Sequence, residues 1–162
     1  MISLPKVNTL NENYIMKTFG DITQLPDPDI DLARAALLVA LSEYPTLNIE
    51  RELFTLQRLA GDVSSKLIEA DDPLFVMNTL SEHLLDDLGF RGNTDDYYDP
   101  RNSFLNQVIS RKLGIPITLS LVYVEIGKRL RIPLKGIGMP GHFLVGHENV
   151  DDFFIDPFYG CL

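Results

Sequence analysis

The chain has 162 residues, 45% of them hydrophobic and 23% charged, with a mean hydropathy of +0.04. That is enough chain for one domain with a buried core, and the balance excludes a disordered or fibrous protein. A formal net charge of −9 and a pI of about 4.7 disfavour nucleic acid as a partner, because the protein's field repels phosphate.

The one basic grouping, Lys128, Arg129, Arg131 and Lys135, reads as cations at a helix C-terminus, where they meet the negative end of the dipole. Cys161 is the single cysteine, so no internal disulfide can form and a reducing compartment is expected. The opening MISLPKVNTLNENY lacks the apolar stretch of a signal peptide, and no segment is long enough in apolar residues to span a bilayer. The expectation is a cytoplasmic protein with no membrane partner.

Residues 1–30 are weakly patterned and end in QLPDPDID, a proline-punctuated loop, so they read as an N-terminal extension. From Asp31 the period turns helical, with Leu32, Ala35, Ala36 and Val39 on one face. A second helix is predicted over 49–69 on Leu53, Leu56, Ala60, Val63 and Leu67. Asp72-Pro73 starts a third, a side-chain cap followed by a proline whose missing N–H costs nothing there. It runs through Met77, Leu80, Leu84 and Leu88 to Gly89.

The next run, GFRGNTDDYYDPRNSFLN, is loop by composition until Asp99-Pro100 repeats the cap-and-proline start. The helix that follows turns Phe104, Leu105, Val108 and Ile109 inward. Pro116 then opens ITLSLVYVEIGKRL, apolar on nearly every side and therefore central. After Pro133 the period changes to short β-branched and aromatic stretches at 134–139, 143–147 and 153–156. Helices first and sheet last predicts an α+β fold, a helical region and a central helix on a small antiparallel sheet, in one domain over 31–162.

The last two stretches carry His142 and Asp156. With Glu148-Asn149-Val150 as a hairpin loop, the two stand directly opposite on one sheet face, their Cβ atoms ~5 Å apart. An even register shift would keep them on that face as diagonal neighbours, whereas a shift by one would separate them. Asp156 could then accept an imidazole N–H and fix the tautomer, leaving the other nitrogen as base or acid. The competing reading is a satisfied polar pair in a half-buried sheet.

No metal site is expected. His142 and His147 lie an odd number of residues apart on one strand and point to opposite faces, and His83 reads as a surface histidine. The cluster Asn93, Asp95, Asp96 and Asp99 lacks the alternation of a calcium loop. It reads instead as Asp99 capping the next helix, with Asp95 or Asp96 paired to Arg91 or Arg101. Asn102 and Asn106 fall one turn apart, either lining a cleft toward the central helix or holding the preceding loop.

The run RNSFLNQVISRKLGIPITLSLVYVEIGKRLRIPLKGIGMPGHFLVGH, preceded by GFRGNTDDYYDP and followed by FFIDPFYG, resembles the SirB family of the transglutaminase-like superfamily, with its papain-like core. The resemblance covers about 89–160 closely and reaches back to Asp31 more loosely. It implies a catalytic cysteine at the head of the central helix, where the dipole favours thiolate, with histidine and aspartate from consecutive strands. His142 and Asp156 match the latter two. The helix head is Pro116-Ile117-Thr118, which supplies no thiol, and Cys161 lies beyond the last strand. The resemblance also implies a C-terminal continuation past DPFYG, so that this chain reads as a truncated core.

Three functions follow. The first is a non-catalytic module that binds a protein or peptide partner without a cofactor, its cleft lined by Asn102, Asn106, Pro116 and Ile117. The second is a hydrolase or acyl-transferase using His142 and Asp156 with Thr118 or an activated water. The third is a structural domain serving the continuation.

Overall fold

The computed structural model describes residues 18–26, 30–67, 72–151 and 153–160. Cys161 lies outside them. Six α-helices and five strands are present among the described residues. They are α1 (Phe19–Ile22), α2 (Leu32–Ala40), α3 (Ile49–Ser64), α4 (Pro73–Ser81), α5 (Leu105–Arg111) and α6 (Pro116–Leu130), with β1 (Arg91–Gly92), β2 (Leu113–Gly114), β3 (Leu134–Met139), β4 (His142–His147) and β5 (Phe154–Ile155). Helices precede the main sheet, as expected of an α+β fold.

The starts of the helices follow from local chemistry. Asp31 caps α2, Asn48 caps α3 and Asp72 caps α4, each accepting a backbone N–H of the first turn. The expected N-terminal extension contributes more than loop. Thr18 and Asp21 form a capping box that starts α1, and Ile22 is buried against Ala35 and Leu38. Helix α3 stops at Ser64, short of the predicted end at Glu69, where Ser65 and Lys66 turn back on the helix carbonyls.

The third predicted helix changes character midway. After α4 the residues Glu82–Asp87 form a π turn, in which the Leu88 N–H reaches back to the His83 carbonyl. A π turn holds more residues than 3.6, so the polar face extrapolated from α4 slips across this stretch. His83, expected at the surface, is buried, with Nδ1 2.9 Å from Asp87 Oδ2.

Helix α6 is central as predicted. It packs on α2, α3, α5, β3 and β4, and Leu119, Val122, Tyr123 and Ile126 are buried on it. Glu125 is also buried, on the same helix, and pairs with Arg129 one turn on, the acid-before-base order that suits the dipole. Arg131 ends the helix in the left-handed region at φ 59°.

Strands β3, β4 and β5 form the antiparallel sheet in that order. Pro140-Gly141 turns β3 into β4, with Gly141 at φ 77°, a conformation glycine adopts without a Cβ clash. Val145 and Ile155 face the core, paired across β4 and β5. A second, parallel pair joins β1, in the stretch expected to be loop, to β2, directly after α5. The main core runs from Ala33 of α2 to Phe158, beyond β5.

Candidate functional site

The register of β4 and β5 pairs Val145 with Ile155 and Gly146 with Phe154. That is shifted by two residues from the direct opposition of His142 and Asp156. The cause is a longer turn after β4, where the Asn149 N–H donates to His147 Nδ1 and the Val150 N–H to the His147 carbonyl. The shift is even, so both polar groups keep one face as diagonal neighbours. His142 Nδ1 lies 3.3 Å from Asp156 Oδ2, with the imidazole 44% exposed and the carboxylate 12%.

The contact is close without being aligned as a hydrogen bond. Asp156 Oδ1 is occupied elsewhere, accepting from the backbone N–H of Phe158 at 2.9 Å and of Tyr159 at 3.2 Å. The aspartate therefore shapes the turn after β5 and faces the imidazole with its second oxygen. The strand that carries His142 is tied to the central helix by Ser120, whose hydroxyl donates to the Phe143 carbonyl at 2.8 Å. His147 is buried on the opposite face of β4, as its spacing requires.

At the head of α6, Pro116 is buried and Ile117 is 53% exposed. The Thr118 hydroxyl is 2.7 Å from the Asn102 carbonyl, to which it donates, and accepts from the Ile115 N–H at 3.2 Å. Among the described residues no hydrogen bond joins Thr118 to His142. Ile117 lines an apolar groove of about 470 Å³ with Phe19, Leu32, Val39, Leu121 and Phe143.

Of the two roles expected of Asn102 and Asn106, lining a cleft or holding the preceding loop, Asn102 takes the second. Asn102 is wholly buried and Asn106 nearly so, with Asn106 Oδ1 unpaired among the described residues. Asn102 holds the loop before it: Nδ2 donates to the carbonyls of Asp96 and Tyr97, and Oδ1 accepts from Asn93 Nδ2. The reason is its place in the 3₁₀ turn Pro100–Ser103, which ends before α5 begins and so sets Asn102 and Asn106 on separate elements.

Asp99 caps that 3₁₀ turn through the Arg101 N–H and also takes the Arg101 ion pair expected of Asp95 or Asp96, adding one with Arg111. Its carboxylate meets Arg101 at 2.7 Å and Arg111 at 3.1 Å. The Arg101 guanidinium, aided by its backbone N–H and by Arg111, holds the Asp99 carboxyl down from 3.8 to about 2. A depressed carboxyl stabilises the fold above its unfolded value, and that contribution disappears as pH falls from 3.8 through about 2. Asp99→Asn is therefore expected to lower the urea midpoint at pH 6 and to leave it unchanged at the bottom of the acid limb. Equal loss at every pH would assign Asp99 a purely steric role.

Four rings missed in the sequence adjoin the pair. Tyr159 packs on His142 with centroids 5.8 Å apart, and Phe158, Tyr97 and Tyr98 follow in contact. The signal lay in two short runs, DDYYD and DPFYG, which place tyrosines in loops. Among the described residues no group of His, Cys, Asp and Glu could hold a metal ion, and no helix is long and apolar enough to cross a membrane.

The chain matches relatives across most of its length. A UPF0162 protein of Xylella fastidiosa is 38% identical over 151 residues, covering 92% of this chain and 53% of the relative. A UPF0162 protein of Vibrio cholerae is 29% identical over 141 residues, 84% of this chain and 52% of that one. F-box only protein 21 of Homo sapiens is 34% identical over 125 residues, 77% of this chain and 18% of the relative. The chain thus spans about half the length of the UPF0162 relatives. No solved structure matches it. The family model of the transglutaminase-like superfamily matches residues 51–162. That span includes the central helix and the two strands that bring His142 to Asp156, and the chain belongs to the transglutaminase-like superfamily.

Proposed function

We propose that this chain is a SirB-type transglutaminase-like module that has no acyl-transfer chemistry and binds an extended peptide segment of a partner protein at the face carrying His142 and Asp156. The observation that carries the reading is the head of α6. A triad needs a nucleophile there within reach of the imidazole. Pro116 has none, Ile117 turns to an apolar groove, and Thr118 is 8% exposed with its hydroxyl bonded to the Asn102 carbonyl. The half-exposed imidazole, faced by its aspartate, is then free to present a polar atom to a ligand. The recurrence of the domain inside F-box only protein 21, as a small part of a longer chain, fits a portable module.

The test is turnover. With an activated ester, and with a glutamine peptide plus a primary amine, the Cys161→Ser protein is expected to give the buffer rate. His142→Ala and Asp156→Asn are expected to change nothing. A rate above buffer that disappears in His142→Ala would establish the alternative, an enzyme working through Thr118 or an activated water.

A further inference from the structure

The outer edge of the main sheet carries an inference about a second surface. Strand β3 pairs with β4 alone, since the sheet runs in the order β3, β4, β5. The Glu148 N–H donates to the Pro133 carbonyl at 2.8 Å, which fixes how the ladder alternates. Every second residue of an antiparallel pair bonds across, so Lys135, Ile137 and Met139 bond to Gly146, Leu144 and His142. Gly136 and Gly138 therefore turn their N–H groups and carbonyls outward, where no other described segment bonds them. Both glycines are exposed. Unpaired backbone groups along an edge are a template for another strand.

The apolar groove lies beside this edge. Gly136 and Gly138 share a sheet face with their partners Val145 and Phe143, the face packed on α6. A Cβ at Gly136 would stand 2.5 Å from the Phe143 ring. The absence of side chains there lets the ring reach across β3 toward the open edge. It walls the groove together with Leu121 and Val124 of α6 and Leu32 and Val39 of α2. Leu32 and Val39 are nearly half exposed, so folding leaves that wall uncovered. A strand added to β3 would send alternate side chains into the groove and the others to solvent.

Charge selects one end of the added strand. Lys128 stands one turn beyond Val124 on α6, Arg131 ends that helix, and Lys135 lies at the start of β3. All three are exposed and none makes an ion pair among the described residues. The helix dipole accounts for cations at the end of α6 but not for Lys135 on the strand. Glu148 follows β4, so β3 separates it from the free edge. The Debye length is about 8 Å at physiological salt, so this local group outweighs the acidic surface farther off. A second copy of the chain would bring another net −9 against the first. An acidic peptide end meets the cations instead. Antiparallel pairing is the more stable kind, and it sets the C-terminal end of the peptide beside Lys135.

We infer that the free edge of β3 docks an extended peptide strand of a partner protein, apolar at alternate residues and acidic at its C-terminal end. This surface is additional to the His142–Asp156 face and does not depend on the reading of that pair. It is tested by fluorescence anisotropy with a labelled peptide of about eight residues, alternating valine with threonine and ending in two glutamates, long enough to span β3. The control has the same composition with its valines contiguous. The first peptide is expected to bind about tenfold more tightly than the control, and about fivefold more tightly than a version with lysine for glutamate. Gly138→Pro removes an outward N–H while sparing the bonds to β4, and is expected to weaken binding about tenfold. Val39→Gln, at an exposed helix position on the groove, is expected to weaken it about fivefold and tests the site even if Gly138→Pro fails to fold. Phe54→Ala, exposed on α3 outside the groove, is expected to change nothing. Saturating peptide should slow amide exchange at Gly136 and Gly138 about tenfold.

Equal affinity for the alternating and contiguous peptides would overturn the inference. So would an absence of binding, binding unaltered by Gly138→Pro and Val39→Gln, or unchanged exchange at the two glycines in the bound state. A dimer that forms without peptide and is lost in Gly138→Pro would assign the edge to a second copy, and would overturn it too.

Discussion

Gly92→Ala is expected to lower stability by about 2 kcal/mol and the Tm by roughly 4–8 °C, the range for overpacking in a protein of this size. A Cβ at Gly92 would stand 2.6 Å from the Phe158 ring and 2.6 Å from the Phe158 carbonyl oxygen. A ring edge can swing away, but the carbonyl is backbone and accepts the Gly92 N–H. Relief therefore requires the segment after β5 to move outward. The φ of Gly92 lies outside the left-handed region, so the cost is contact and not backbone strain. The same displacement would carry Tyr159 away from His142, and the near-ultraviolet circular dichroism of the tyrosines should fall with it. A Tm within a degree of the wild type would show that this segment is not fastened to β1.

Asn102→Ala is expected to cost more, about 3 kcal/mol by urea unfolding, with a Tm roughly 6–12 °C lower. The side chain is wholly buried and its amide serves two carbonyls, those of Asp96 and Tyr97, while its oxygen accepts from Asn93 and, at 3.4 Å, from Arg111. Truncation strands all four partners, and unpaired buried polar groups cost about 1–3 kcal/mol each where water does not replace the lost partner. Asn102→Asp separates hydrogen bonding from packing, because it keeps the shape and removes the donor. It is expected to destabilise strongly at pH 7, where a carboxylate oxygen would face two carbonyl oxygens. The defect should narrow at acid pH, where the protonated group donates again. A pH-independent loss, equal in the two variants, would point to volume and not to hydrogen bonding.

These two substitutions meet at one structural point. Asn102 holds the loop bearing Tyr97 and Tyr98, and Gly92 admits the segment bearing Phe158 and Tyr159. The parallel pair β1 and β2 lies between, with the Asn93 N–H donating to the Gly114 carbonyl. The helix head that would hold a nucleophile is fastened to the same loop system, since the Thr118 hydroxyl donates to the carbonyl of Asn102. The atom best placed by its position in α6 to replace a thiol is thereby employed in joining α6 to its support.

Local signals in the sequence are legible where one residue's chemistry decides the matter. Asp72-Pro73 and Asp99-Pro100 announce their turns through a carboxylate cap and a proline that needs no N–H. The apolar circumference of α6 announces burial on most faces, and alternation along β4 and β5 puts His142 and Asp156 on one side of the sheet. What escaped was set by longer range. The hairpin register moved by two because His147 organises a wider turn. A π turn buried His83, which a constant helical period had assigned to solvent. The two-residue strands β1 and β2 carry too little pattern to separate them from loop. The ring row joins residues from two distant loops, so neither DDYYD nor DPFYG discloses it alone. Asn102 and Asn106 would share a face of one continuous helix, but the 3₁₀ turn and α5 are separate elements.

The proposed absence of a nucleophile at the head of α6 is tested most directly by intact-mass spectrometry of the Cys161→Ser protein after incubation with an activated acyl donor at neutral pH, followed by peptide mapping. The expected spectrum has no acyl group on Thr118 and no adduct whose formation depends on His142. An acyl-Thr118 species that is absent from His142→Ala would contradict this account, because it would make the histidine and aspartate parts of a working triad.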